Sequence, residues 1–152
     1  MRMHLEKDFL TKLFSTTFFT GYLPFAPGSW GSLLTLILVW FLVSEYYLLL
    51  LALIILFGIS LWVVDDAEKV YGKDARKINI DESLGMIISL LFLQKKLLFY
   101  ILAFILFRGL DTLKPPPIRS LEKLKGKWGV IADDLVAGIY TNLILQIIGL
   151  FC

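Results

Sequence analysis

The sequence is poor in the residues on which most soluble chemistry is built. It has one cysteine, Cys152, and one histidine, His4, in 152 residues. A single cysteine closes no internal disulfide, and no zinc-type Cys/His cluster can be assembled. Cys152 has no basic neighbour to favour a thiolate, which makes it a poor nucleophile. With His4 alone in a polar start, a phosphohistidine route or a histidine general base is not expected. Charge is scarce as well, at 18% of residues against about 25% in a soluble domain. The net charge of +2 is too weak and too spread out to point to nucleic acid. The stretch from Met1 to Leu13 carries Arg2, Lys7 and Lys12 but no apolar run of signal-peptide type. Internal repeats and low-complexity tracts are lacking too.

What the sequence has in abundance is apolar surface: 58% hydrophobic residues, 14% aromatic, and a mean hydropathy of +0.78. A chain this short cannot bury that much in its own core. Disorder, a collagen-like fibre and a disulfide-stapled module are excluded, and a membrane becomes the expected solvent. Four apolar stretches stand out: Ser32–Val43, Tyr46–Val64, Ser83–Phe107 and Leu135–Phe151. The second has 19 residues without a charge, enough to cross a hydrocarbon core roughly 30 Å thick. The first is short unless it recruits Gly28–Gly31 or tilts. The third is interrupted by Gln94, Lys95 and Lys96, so it either extends backward through Ile78–Glu82 or forms a re-entrant hairpin.

Only helices and closed barrels satisfy backbone groups in hydrocarbon. These runs are continuous, not alternating, so the expected fold is all-α: a helical integral membrane protein, one domain over residues 1–152, with four to five apolar helices, some short or re-entrant. Lysines and arginines concentrate in the segments 65–82 and 108–134, which predicts that these face the cytoplasm. Every segment with unusual chemistry then reaches one membrane face. Ala137, Gly138 and Thr141 predict close packing of the last helix against the Gly85–Ser89 face.

Asp81 and Glu82 head one apolar helix. Capping explains them in one reading, with Asn79 and Glu82 forming a capping box; a carboxylate pair for a divalent cation explains them in the other. Asp133 and Asp134 open the last helix in the same manner. Four repelling carboxylates at a bilayer edge need compensation, which a hard cation such as Mg²⁺, or a lysine or arginine, supplies. In RGLDTLKPPPI, Arg108, Asp111 and Lys114 leave a helix for three prolines. Positive charges after a helix serve as a membrane-exit stop, but Asp111 among them fits a site for a phosphate and its metal. YLPFAPGSWGS places Gly28 and Gly31 where backbone amides can approach an anion at a helix start. A plain membrane-entry turn accounts for the same residues.

Taken together, LPFAPGSWGS (Leu23–Ser32), DESLGM (Asp81–Met86), FRGLDTLKPPPIRSLEKLKG (Phe107–Gly126) and WGVIADDLVAG (Trp128–Gly138) resemble the phosphatidylglycerophosphatase A family. These are membrane lipid phosphatases dependent on Mg²⁺. Ser29 stands where the family's turn has threonine and keeps the hydroxyl; Lys127 stands where a second glycine is common. The resemblance implies hydrolysis of phosphatidylglycerophosphate to phosphatidylglycerol, with the lipid as partner, at the cytoplasmic face of the inner membrane. It implies an acidic metal site of Asp81, Glu82, Asp133 and Asp134, with Mg²⁺ as cofactor. Asp111, Lys114 and Asp134 are expected to act in catalysis; Arg108, Arg119, Gly28, Ser29 and Ser32 are expected to bind substrate. Attack by water and an aspartyl-phosphate intermediate both remain open, as does oligomeric state. A small ion-conducting or transporter subunit is the alternative, and it expects acids spread through the depth of several spans. A CDP-alcohol phosphotransferase lacks its longer aspartate pattern here.

Overall fold

The computed structural model describes residues 2–73 and 75–151, with side chains from residue 5 onward. The expectations placed on the His4 side chain and on Cys152 fall outside that set. Among the described residues every regular element is helical. They are α1 (Arg2–Ser15), a 3₁₀ turn (Thr20–Tyr22), α2 (Pro27–Leu42), α3 (Tyr46–Tyr71), α4 (Ile80–Leu90), α5 (Leu97–Leu113), the short α6 (Ile118–Leu121) and α7 (Lys127–Gly149).

The boundaries follow local chemistry. Pro27 opens α2, a position where its missing N–H leaves no hydrogen bond unmade, so the helix does recruit Gly28–Gly31. The polar residues Gln94–Lys96 separate α4 from α5, and α4 extends back to Ile80. At 11 residues, α4 is only about 16 Å long. Among the described residues two helices, α3 and α7, are long and apolar enough to cross a membrane, and α2 is apolar but shorter. The capping-box reading of Asn79 does not hold. Its side chain makes no cap bond; the amide donates to Thr20 Oγ1 and to Pro27 O, both at 2.9 Å. Asn79 is completely buried and ties the start of α4 to the start of α2. Nor do Asp133 and Asp134 open a helix: α7 begins at Lys127, which puts them about two turns inside it.

Contacts at the helix ends give the topology. Lys95 Nζ donates to Val43 O at 2.9 Å and lies 5.6 Å from the Trp40 ring, while Tyr46 stacks near Phe92. The turn after α2 and the connection after α4 therefore share one end of the bundle. Gly28 of α2 approaches Glu82 of α4 at the other end. Helices α2, α4 and α7 run one way; α3 and α5 run back. At the center is α4, packed on α7, α2, α5 and α3, with nine of its 11 residues buried.

Small residues allow the tightest of these crossings. A Cβ on Gly138 would meet the Gly85 carbonyl oxygen at 2.5 Å, and one on Gly85 would meet the Phe107 ring at 2.4 Å. Backbone cannot yield as a flexible side chain can. Gly138→Ala is therefore expected to destabilise the protein by about 1–3 kcal/mol, read as a lower midpoint of thermal unfolding in detergent. Gly58→Ala is the control, because nothing lies within 4 Å of its Cβ position; it should be neutral or stabilising by about 0.5–1 kcal/mol.

After α1 the chain holds Thr17, Phe18 and Phe19 at φ 41°, 53° and 67°, a left-handed run that L side chains adopt at a cost of roughly 1–2 kcal/mol each. Packing offsets it. Phe19 N donates to Thr16 Oγ1 at 3.1 Å, and Phe18 and Phe19 pack edge-on or tilted against Phe14, Phe9 and Tyr22.

Candidate active site

Three helices bring their acids to one end of the bundle. Asp81 and Glu82 come from the first turn of α4, Asp111 from the last turn of α5, and Asp133 and Asp134 from α7. Asp81, Glu82 and Asp134 each present a carboxylate oxygen within 4.8 Å of the others. Asp111 lies close enough to interact electrostatically with Asp81, Glu82, Asp133 and Asp134. Asp81, Asp133 and Asp134 are only 7%, 5% and 3% exposed, unlike the acids of a solvated, merely capped helix start.

Two cations answer these five carboxylates. Arg108 Nη1 lies 2.8 Å from Asp111 Oδ2 and 4.0 Å from Glu82 Oε1. The Arg108–Asp111 spacing of three places both on one helix face. Lys114 Nζ donates to Asp133 Oδ2 at 2.8 Å and also pairs with Glu122. Burial works against the Lys114 ammonium, but its bonds to Asp133 and Glu122 outweigh that and hold its pKa above the ordinary lysine value. Lys114 caps α5 in the left-handed region, φ 46°, directly before Pro115. The proline run turns the chain into α6, whose Ile118 is fully buried.

Compensation is incomplete. Asp81 Oδ1, Glu82 Oε2, Asp133 Oδ1 and Asp134 Oδ1 are buried with no hydrogen-bond partner. A buried unpaired carboxylate oxygen is costly, and the grouped carboxylates of Asp81, Glu82 and Asp134 form an all-oxygen donor set of the kind that hard divalent cations take. The residues present thus fit a Mg²⁺ ion.

Gly28 belongs to this cluster. A Cβ there would lie 2.0 Å from Glu82 Oε1 and 3.3 Å from Arg108 Nη1, so only glycine lets the turn close over the acids. Gly28→Ala is expected to displace Glu82 and to lower turnover about 10- to 100-fold, with the thermal midpoint nearly unchanged because the far end of Glu82 can move. An assay of phosphate release beside a melting curve checks both halves.

The other expected residues are placed differently. Ser29 is half-buried in the first turn of α2, and its N–H donates to Ala26 O at 2.9 Å. Ser32 is buried with its hydroxyl donated to Gly28 O at 3.0 Å, an internal helix bond. Arg119 is exposed on α6 and makes none of the ion pairs among the described residues. Glu122 and Asn79 were not singled out by sequence as site residues. Glu122 lies in the quoted stretch after the prolines, but only the turn they impose brings it to Lys114. Lys127 ties the start of α7 to α3 through Asp65 Oδ2 at 3.1 Å and Leu61 O at 3.2 Å.

A scan against protein families matches residues 13–149 to the family described as Phosphatidylglycerophosphatase A. A protein of Bacteroides thetaiotaomicron, provisionally named phosphatidylinositol-3-phosphatase, is 36% identical over 92% of this chain and 94% of its own length. Phosphatidylglycerophosphatase A of Escherichia coli is 34% identical over 90% of this chain and 82% of its own. Its namesake in Haemophilus influenzae is 37% identical over 88% and 85%. No solved structure matches the chain. The family match over residues 13–149, with relatives 34% and 37% identical over most of both chains, places the chain in the phosphatidylglycerophosphatase A family.

Proposed function

We propose that this protein removes the phosphate from phosphatidylglycerophosphate, leaving phosphatidylglycerol and inorganic phosphate, with Mg²⁺ at the acid cluster and at the cytoplasmic face of the inner membrane. One observation carries the reading: five carboxylates converge at one end of the bundle against two cations, with four buried oxygens unpartnered. Grouping at one end favors a site over the ion-conducting path, which calls for acids through the depth of the bundle. Helices of crossing length, and outward-facing Leu51, Ile54, Ile55 and Ile147 on them, support a membrane setting.

Phosphoryl transfer asks a protein mainly for positioning and charge neutralisation. Asp81, Glu82 and Asp134, with Asp133 beside them, would hold Mg²⁺, which supplies positive charge for the phosphate oxygens and acidifies water. Lys114 and Arg108 present N–H donors to the nonbridging oxygens, and Asp133 and Asp111 hold those cations in place. Asp111 or Asp134 accepts the proton of the attacking water, or attacks phosphorus itself, in which case water then hydrolyses the aspartyl-phosphate to free phosphate and restore the carboxylate. The bond from phosphorus to the glycerol oxygen breaks, and that oxygen takes up a proton.

A second reading has a specific support. The Bacteroides relative is named for a phosphoinositide, and its chain is covered almost entirely. Both lipids present a phosphate monoester at the headgroup. Purified protein in vesicles with Mg²⁺ should release phosphate from phosphatidylglycerophosphate at least tenfold faster than from phosphatidylinositol 3-phosphate. The reverse ratio would select the second substrate, and release from neither would end both readings. Quenched with hydroxylamine during a single turnover, the same reaction yields an aspartyl hydroxamate at Asp111 or Asp134 if the enzyme is phosphorylated, and none if water attacks phosphorus directly.

A further inference from the structure

A groove of about 360 Å³ opens between α1, α2, α3 and α4. Thr35, Val39 and Leu42 of α2, Ala52 and Leu56 of α3 and Ile87 of α4 line it. Its surface is almost wholly apolar, so it offers water few partners. One end differs. There Thr17 Oγ1 and Ser83 Oγ lie 2.9 Å apart, and Ser83 follows Glu82 of the acid cluster directly in α4. The same stripe of α2 serves both places. Gly28 touches Glu82, and Thr35, Val39 and Leu42 succeed it at helical spacing on the face toward α4. Thr35 lies about 10 Å beyond Gly28 along the axis, and the groove continues about 10 Å more to Leu42.

Polar cluster, hydroxyl pair and apolar groove are thus stacked along one helix in the order in which a phospholipid presents phosphate, ester region and hydrocarbon. We propose that the groove seats one acyl chain of the lipid whose phosphate lies at the acids. Substrate is then selected by chain length as well as by headgroup. The assignment rests on the lipid phosphatase reading above. Thr17 and Phe18 of the left-handed run line the groove, so the strained segment shapes that end of it.

The test uses the full chain in phosphatidylcholine vesicles containing phosphatidylglycerophosphate with a diazirine at the end of one acyl chain. After irradiation, label should concentrate on groove residues relative to the outward-facing Ile147. Ala52→Phe, which fills the groove, should cut groove labelling tenfold or more. It should also lower kcat/KM at least tenfold for a long-chain substrate and less than twofold for one with four-carbon chains. Leu42→Trp, at the exposed far rim, gives the same readouts if Ala52→Phe does not fold. Equal labelling of the groove and Ile147, or competition by unlabelled phosphatidylcholine as strong as by the unlabelled substrate, overturns the proposal by reducing the occupant to bulk lipid. Chain-to-chain crosslinks at the groove overturn it in favour of a second copy. Groove labelling intact, with no phosphate released from either lipid, sinks the catalytic reading and leaves the acyl site standing.

Discussion

Asp134→Asn is expected to lower phosphate release by about 10²–10⁴-fold while the protein still inserts, folds and binds detergent normally. The residue is 3% exposed, one of its oxygens has no partner, and it shares a cluster with Asp81 and Glu82. Asparagine keeps the shape and one carbonyl oxygen but removes the negative charge that a cation or a proton transfer needs. Folding should survive, since taking one charge from a surplus of buried carboxylates relieves repulsion. The thermal midpoint without metal should stay level or rise. That pairing of lost turnover with retained stability is what distinguishes a reacting group from a structural one. An Asp134→Asn protein with full activity would remove Asp134 from the site.

Stripping divalent cations with EDTA should abolish activity, and Mg²⁺ should restore it. The same titration carries a readout that needs no catalysis. A ligand that binds only the folded state stabilises it by about 2.7 kcal/mol at one hundred times its dissociation constant. Mg²⁺ should therefore raise the thermal midpoint of the wild-type protein and raise that of Asp134→Asn much less. Full activity in EDTA would leave Lys114 and Arg108 as the only compensation for five acids. The four unpartnered oxygens would then need another explanation.

Much of this was legible in the sequence because it depended on local pattern. The continuous apolar runs, the polar break at Gln94–Lys96 and the small residues at Gly85 and Gly138 each predict a feature by short-range physics, and each has its counterpart in the helices. The acids could be paired with their helices for the same reason. What local pattern could not give was anything decided across the bundle. Asn79 read as a cap because it precedes a helix, yet its amide is drawn away to Thr20 and Pro27, a contact spanning more than fifty residues. Asp133 and Asp134 looked like a helix opening because the apolar run starts after them, although Lys127–Ala132 is helical as well. Glu122 meets Lys114 only through the turn of the proline run. Arg119, in contrast, sits in the most distinctive stretch of the sequence and still points outward, because α6 has a single turn and buries Ile118 instead.

The shortness of α4 has a consequence for depth in the bilayer. Between the acids and the far-end turn this helix provides about 16 Å, roughly half of an ordinary hydrocarbon thickness. In the proposed membrane setting, with the far-end turn at one surface, Asp81 and Glu82 would lie roughly halfway through the hydrocarbon, screened from lipid by α2, α3, α5 and α7. A phosphate would then reach the acids by entering the end of the bundle, while the tails of the same lipid stay in the surrounding leaflet.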